Sequence, residues 1–221
     1  MPRWLELILI VVIALALAAV TKTFFVQSFF VPSGSMRPLL HGSELTDSDD
    51  RIVVEKVSYW NDDVHRGDVV VFDDSQDWLH LADVPTDSGP MQATLEAVGL
   101  WPTGGHLVKR VIGLPGDTVA CCDASGRVTV NGVALDETDY LPKGAEPSQL
   151  PFSVTVPADH LWVMGDNRQN SEDSRAHQQE PGGGFVPVDD VVGKVMAIVW
   201  PADRASLVHR PDTFDNPKLD G

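Results

Sequence analysis

"LVKRVIG", residues 107–113, is the stretch that decides what kind of chain this is. Its apolar residues alternate with the period of a strand, so Leu107, Lys109 and Val111 share one face while Val108, Arg110 and Ile112 share the other. The β-branched content and the turn-forming "LPGD" that follows agree with a β-strand. Two cations sit side by side in this apolar run. An arginine buried on such a strand is costly without a carboxylate partner. A lysine at a strand edge usually keeps its amine in water, and alternation alone does not decide whether Lys109 does so.

Outward from this strand the same signature recurs. "RIVVEKV" (51–57), "DVVVF" (68–72) and "DVVGKVMAIVW" (190–200) are further runs rich in Val and Ile. "RVTVNGVAL" (127–135) carries Asn131-Gly132 between apolar alternations, a hairpin signal. Residues 73–106 break the pattern. That stretch opens acidic, and "MQATLEAVGLW" (91–101) suits one short amphipathic helix. Trp78 and Trp101 fit either a membrane surface or an ordinary packed core. "PGGGF" (181–185) reads as a flexible loop, and the polar tail from Asp203 is expected to fray.

With 221 residues and a net charge of −16, the chain suits one moderate domain with a subdomain, and its acidity argues against a nucleic-acid binder. "DSDDRIVVE" (47–55) lacks the central glycine of a calcium loop and reads as a solvated acidic loop. No Cys/His spacing suggests zinc. Cys121 and Cys122 are adjacent. An oxidising exterior would permit a disulfide, but the short span between neighbouring α-carbons strains the ring, so two thiols are expected.

"LILIVVIALALAAV", from Leu7 to Val20, is an unbroken apolar run. Extended by its neighbours to residues 4–27, it reaches the roughly 20 residues of a transmembrane helix. Glu6 and Lys22 lie near its ends, and Arg3 favours an N-terminus inside. A cleavable leader, with the small residues of "ALALAA" (14–19), is the rival, and a buried core helix a third possibility. The apolar stretch continuing to Phe30 and Val31 favours the anchor.

Directly after it comes "VPSGSMRPLL" (31–40), where Pro32 and Pro38 stiffen a turn holding Ser33, Gly34 and Ser35. A serine is a poor nucleophile until a base takes its proton. None of the seven histidines has a suggestive context, and His106 and His177 read as surface residues. Burial can keep a lysine neutral, and Lys109 is the best candidate for that role.

Four stretches now stand in order: "PSGSMRPLL" (32–40), "RGDVVVF" (66–72), "VKRVIGLPGD" (108–117) and "GDNRQNSEDSR" (165–175). Together, behind an apolar anchor, they closely resemble the characteristic boxes of bacterial signal peptidase I, the Ser-Lys membrane peptidase. The resemblance implies a mostly β fold: an antiparallel-sheet catalytic domain over about 28–202, a smaller β subdomain inserted over about 118–158, and a tail over 203–221. It implies Ser35 as nucleophile and Lys109 as general base. The oxyanion hole would be formed by the Ser33 hydroxyl and the Ser35 N–H. Ser171 would orient the lysine amine, with Asp173 and Arg175 as one supporting pair and Arg110 and Asp166 as another. The implied substrate is a secreted preprotein cut after small residues, usually Ala-X-Ala. It would bind as an added strand, with Val31 and Phe30 lining a pocket. No metal or other cofactor is implied, nor any nucleic-acid partner. The chain is expected to be a monomer, a single-pass protein of the plasma membrane with its N-terminus cytoplasmic and its domain outside. Two alternatives are a self-cleaving Ser-Lys repressor and a non-catalytic anchored binding domain. The anchor and the absence of a DNA-binding module count against the first, and the intact Ser35 and Lys109 against the second.

Overall fold

The computed structural model describes residues 4–13, 26–42, 49–56, 64–79 and 105–220. In the large sheet run β1 (Val26–Phe30), β2 (Arg51–Glu55), β3 (Val69–Asp73), β4 (His106–Gly113), β9 (His160–Met164), β10 (Val186–Pro187), β11 (Val191–Trp200) and β12 (Ser206–Leu207). Between β4 and β9 the chain makes a second sheet from β5 (Thr118–Cys121), β6 (Val128–Val130), β7 (Val133–Ala134) and β8 (Phe152–Thr155). The large sheet has the order β1-β2-β11-β3-β4-β9-β10, with β12 on β11, and the small one the order β7-β6-β5-β8. Every strand pair given a register is antiparallel.

The strands follow from composition. The Val and Ile runs around 51–55, 69–72, 107–113 and 191–200 all form strands of the large sheet. Asn131 and Gly132 both take positive φ, 51° and 78°, as the turn between β6 and β7 requires. Phe29, Val31, Met36, Leu40, Ile52 and Val54 bury one core cluster directly beneath the serine turn. A second cluster joins the small sheet (Val119, Val128, Val130) to Ile112 and Trp162 of the large one.

Several expectations are corrected. Val26 and Gln27, read as the end of the anchor helix, belong to β1, which pairs with β2 from Val26↔Glu55 to Phe30↔Arg51. The apolar stretch at Phe29 and Val31 belongs to β1 and the turn after it, and both side chains enter the core. Residues 4–13 are helical, while 14–25 lie outside the described residues. Among the described residues no helix is long and apolar enough to cross a membrane. The tail does not fray. Ser206–Leu207 adds a strand to β11, and Phe214 and Leu219 are buried in the core. Nor is Asp50 part of a solvated loop. It is buried, accepts hydrogen bonds from the Arg204 guanidinium at 2.8 and 2.9 Å, and accepts another from the His41 N–H.

Trp78 is buried rather than at a surface, stacked on the His177 ring at 4.4 Å. This also removes His177 from the surface. Trp101 and the helix expected over 91–101 lie outside the described residues. Cys121 and Cys122 are joined as a vicinal disulfide, in place of the two thiols expected.

Candidate active site

The chain leaves β1 and turns at once. The Arg37 N–H donates to the Gly34 carbonyl at 3.2 Å and the Leu40 N–H to Met36 at 2.9 Å, closing a short helical turn around Ser35. Met36 and Leu40 drop into the core on one side of this turn, fixing its depth. Ser35 is thereby held nearly buried, at 8% exposure, while Ser33 stays on the open side. Their two hydroxyl oxygens lie 3.1 Å apart.

Lys109 comes to this turn from β4. Its Nζ donates to Ser35 Oγ at 2.9 Å, across 74 residues of sequence. The side chain is 3% exposed, and on the same strand Leu107 and Val111 belong to an apolar cluster. Burial disfavours the charged ammonium and lowers the Lys109 pKa to about 8 against the partial opposition of Asp173 and Glu172. Strand alternation therefore resolves in favour of a desolvated amine, and the Ser35 hydroxyl is its hydrogen-bond partner.

Ser171, expected to orient this amine, is near but not bonded to it. Its hydroxyl is buried with no hydrogen-bond partner among the described residues. It lies against Gly165, where a Cβ would overlap Ser171 Oγ and approach the Ser35 carbonyl oxygen to 2.6 Å. Only glycine lets the 165–175 segment come this close to the serine turn.

The two expected ion pairs are both formed. Arg110 binds Asp166 through two hydrogen bonds of 2.8 and 2.6 Å, with both residues buried. Arg175 binds Asp173 through two bonds of 2.8 Å. Burial pushes the Asp173 carboxyl up, but the Arg175 guanidinium and the Gly165 N–H more than reverse this, leaving it below the usual carboxylate range.

Two further contributors escaped the sequence reading. Asn167 donates its backbone N–H to Ser35 O at 2.9 Å and its Nδ2 to Gly34 O at 3.1 Å, pinning the serine turn from the opposite side. Arg168 donates to Glu137 at 2.5 and 3.2 Å, so the smaller sheet's flank anchors the same segment. Asn167 lies within a quoted box, but nothing in "GDNR" says which backbone it will hold. Glu137 accepts from the Tyr140 hydroxyl three residues on at 2.6 Å, but nothing local points to Arg168, 31 residues away.

Among the described residues, β1 and part of β4 have a partner strand on one side alone. β1 pairs with β2 alone among the described residues. β4 pairs with β3 from His106 to Arg110, but β9 covers its other side only from Arg110 onward. Among the described residues, β9 does not reach 107–109, so this side of β4 has no partner strand as it runs up to Lys109. Phe29 of β1 meets the His106 ring at 5.1 Å, which brings β1 to the start of β4. Val31 is buried in the core beside Met36, while Phe30 is 40% exposed.

The family model described as signal peptidase, peptidase S26, matches residues 4–200. Signal peptidase I of Mycobacterium tuberculosis strain H37Rv is 39% identical over 221 residues, covering 92% of this chain and 74% of that one. A probable signal peptidase I-2 of a Synechocystis species is 36% identical, covering 93% of this chain and 77% of that one. A crystal structure of a signal peptidase I from Enterococcus faecalis is 26% identical, over 60% of this chain and 96% of that one, with a TM-score of 0.38.

Proposed function

The chain belongs to the signal peptidase family, peptidase S26, and is a serine endopeptidase that removes signal peptides; we propose that Ser35 and Lys109 carry out its reaction. The observation that carries this reading is the 2.9 Å hydrogen bond between a buried lysine amine and a serine hydroxyl.

The neutral Lys109 amine takes the proton of Ser35 Oγ as that oxygen attacks the scissile carbonyl carbon. Negative charge collects on the carbonyl oxygen, where the Ser35 N–H and the Ser33 hydroxyl donate. The C–N bond breaks as Lys109, now an ammonium, returns the proton to the leaving amine of the mature protein. Water then attacks the acyl-enzyme with Lys109 again as base, releasing the signal peptide and restoring Ser35. A hydroxyl suits Ser171 for orienting the amine, because a carboxylate in contact would hold the ammonium charged.

The substrate enters as an extended strand added beside β1 and β4, a mode in which main-chain hydrogen bonds supply affinity and side-chain pockets supply selection. The cut falls after small residues, in the Ala-X-Ala pattern. The apolar run from Leu7 to Val20 anchors the chain in the plasma membrane with the domain outside, which sets Ser35 close to the bilayer where a signal peptide emerges.

The test is cleavage of a preprotein by detergent-solubilised protein. Wild type is expected to give the shorter product, while Ser35→Ala and Lys109→Arg, both folded, lose about 10⁴-fold or more in kcat. A guanidinium stays charged and cannot act as the base. A folded Lys109→Arg protein with substantial activity overturns the assignment.

A further inference from the structure

We propose that Phe214, in the polar C-terminal segment beyond the last large-sheet strand, is a positioning residue that holds the lysine-bearing strand β4 in place. The proposal rests on the reading of Lys109 as the base. Composition marks residues 203–221 as a loose tail, yet the described part is tied at several points to both sheets. Asp220 accepts from Arg66 at 2.7 Å, the Leu219 carbonyl accepts from Asn131 Nδ2 at 2.7 Å, and the Thr213 hydroxyl accepts from the Asp136 N–H at 2.9 Å. Arg66 itself is clamped on Asp117 by two bonds of 2.7 Å. These ties set Phe214 at the junction of the two sheets, where it is 5% exposed.

There its ring touches two groups, and both hold Arg110. The first is Gly67. A Cβ at that position would lie 2.5 Å from the Phe214 ring, so the ring rests directly on the glycine backbone. The Gly67 carbonyl accepts from Arg110 Nη1 at 2.8 Å, and the Gly67 N–H donates to the Val111 carbonyl at 2.7 Å. The second is Tyr140, whose ring lies 6.0 Å from that of Phe214 and carries the Arg110 guanidinium 4.6 Å above its centre. Arg110 and Val111 are the residues that follow Lys109 on β4. Removing the Phe214 ring therefore loosens both supports of the strand at the point where Lys109 is kept dry.

The expected consequence is water at the lysine amine, which favours its charged form. The experiment is the pH dependence of kcat for full-length Phe214→Ala and Phe214→Leu in detergent, with a preprotein substrate and Lys109→Arg as control. Wild-type activity rises with pH as Lys109 loses its proton. Phe214→Ala should move this acid limb up by about one pH unit, so that kcat well below the limb falls about tenfold and recovers at high pH, with KM unchanged. Phe214→Leu, which refills most of the space, should move it less. If Phe214→Ala fails to fold, the limb of Phe214→Leu decides. A merely structural phenylalanine would lower the active fraction equally at every pH. An unmoved limb in folded variants of an enzyme that needs Lys109 overturns this inference alone. A Lys109→Arg protein that still cleaves overturns the lysine reading, whatever Phe214 does.

Discussion

Lys109 and Arg110 are consecutive residues of one strand, both buried, and the molecule treats them in opposite ways. Arg110 is paired with a carboxylate. Asp166 takes two of its hydrogen bonds, the Gly67 carbonyl a third, and the Tyr140 ring covers its face. Lys109 makes its hydrogen bond to the Ser35 hydroxyl, a neutral group, and the nearest carboxylates act on it without a hydrogen bond to it. Both cations lose the solvation of water. For Arg110 the loss is offset by a carboxylate, a carbonyl and an aromatic face, so the charge stays. For Lys109 it is only partly offset, so the charge becomes easy to lose and the residue is available for chemistry. The lesson is that burial alone does not make a reactive amine; burial with a neutral partner does.

The largest effect on the fold is expected at the ion-paired Arg110. Asp166→Asn leaves Arg110 charged, buried and without its counter-ion, and should cost about 3–5 kcal/mol of stability in denaturant unfolding. Replacing both partners with apolar residues of similar volume should cost much less. A single Asp166→Asn variant as stable as wild type would erase the contrast, because Arg110 would then need its partner no more than Lys109 does.

On the reactive side a polar group can be removed with little effect on the fold. Ser33 is exposed, and its hydroxyl contacts that of Ser35. Ser33→Ala should lower kcat by about 10²–10³ with KM nearly unchanged, since an oxyanion donor acts in the transition state more than in the ground state. Ser33→Thr keeps the hydroxyl and should retain more activity. Wild-type turnover by Ser33→Ala, with chemistry rate-limiting, would reduce Ser33 to a turn residue.

The same contrast explains how far the sequence was legible. Strands were readable where Val and Ile recur at period two, because the local pattern and the buried face agree. That Ser35 would meet Lys109, Arg110 Asp166, and Asp173 Arg175 was readable through the ordered boxes and the family arrangement they resemble. Burial of Lys109 was not decidable from alternation, which says which face a side chain takes and not what covers it. Long-range partnerships were invisible. Nothing near Asp50 announces Arg204, 154 residues away, and nothing near Glu137 announces Arg168. The tail misled because its composition is polar while its two deeply buried anchors, Phe214 and Leu219, are isolated apolar residues with no period to betray them.

The last prediction turns the neutral partner into a measurable instability. In the folded protein Lys109 titrates at about 8, against 10.5 for an ordinary lysine. Below about pH 8 both the folded and the unfolded chain hold this proton, so the folded state bears the whole cost of a buried ammonium. Between 8 and 10.5 the unfolded chain holds the proton and the folded chain does not, so this contribution to stability rises with pH. Above that range both amines are neutral and the cost has gone. The interval corresponds to about 3 kcal/mol. Lys109→Met fills similar space with no charge to bury, so it should be inactive yet more stable than wild type at pH 6 by up to about 3 kcal/mol. Its advantage should shrink steadily between pH 8 and 10.5, because other titrating groups cancel in the difference between the two proteins. Denaturant unfolding of both at pH 6, 8 and 10 measures it. A difference that stays constant over that range would mean the amine of Lys109 reaches water in the folded state, and the distinction between it and Arg110 would then lie in geometry rather than in charge.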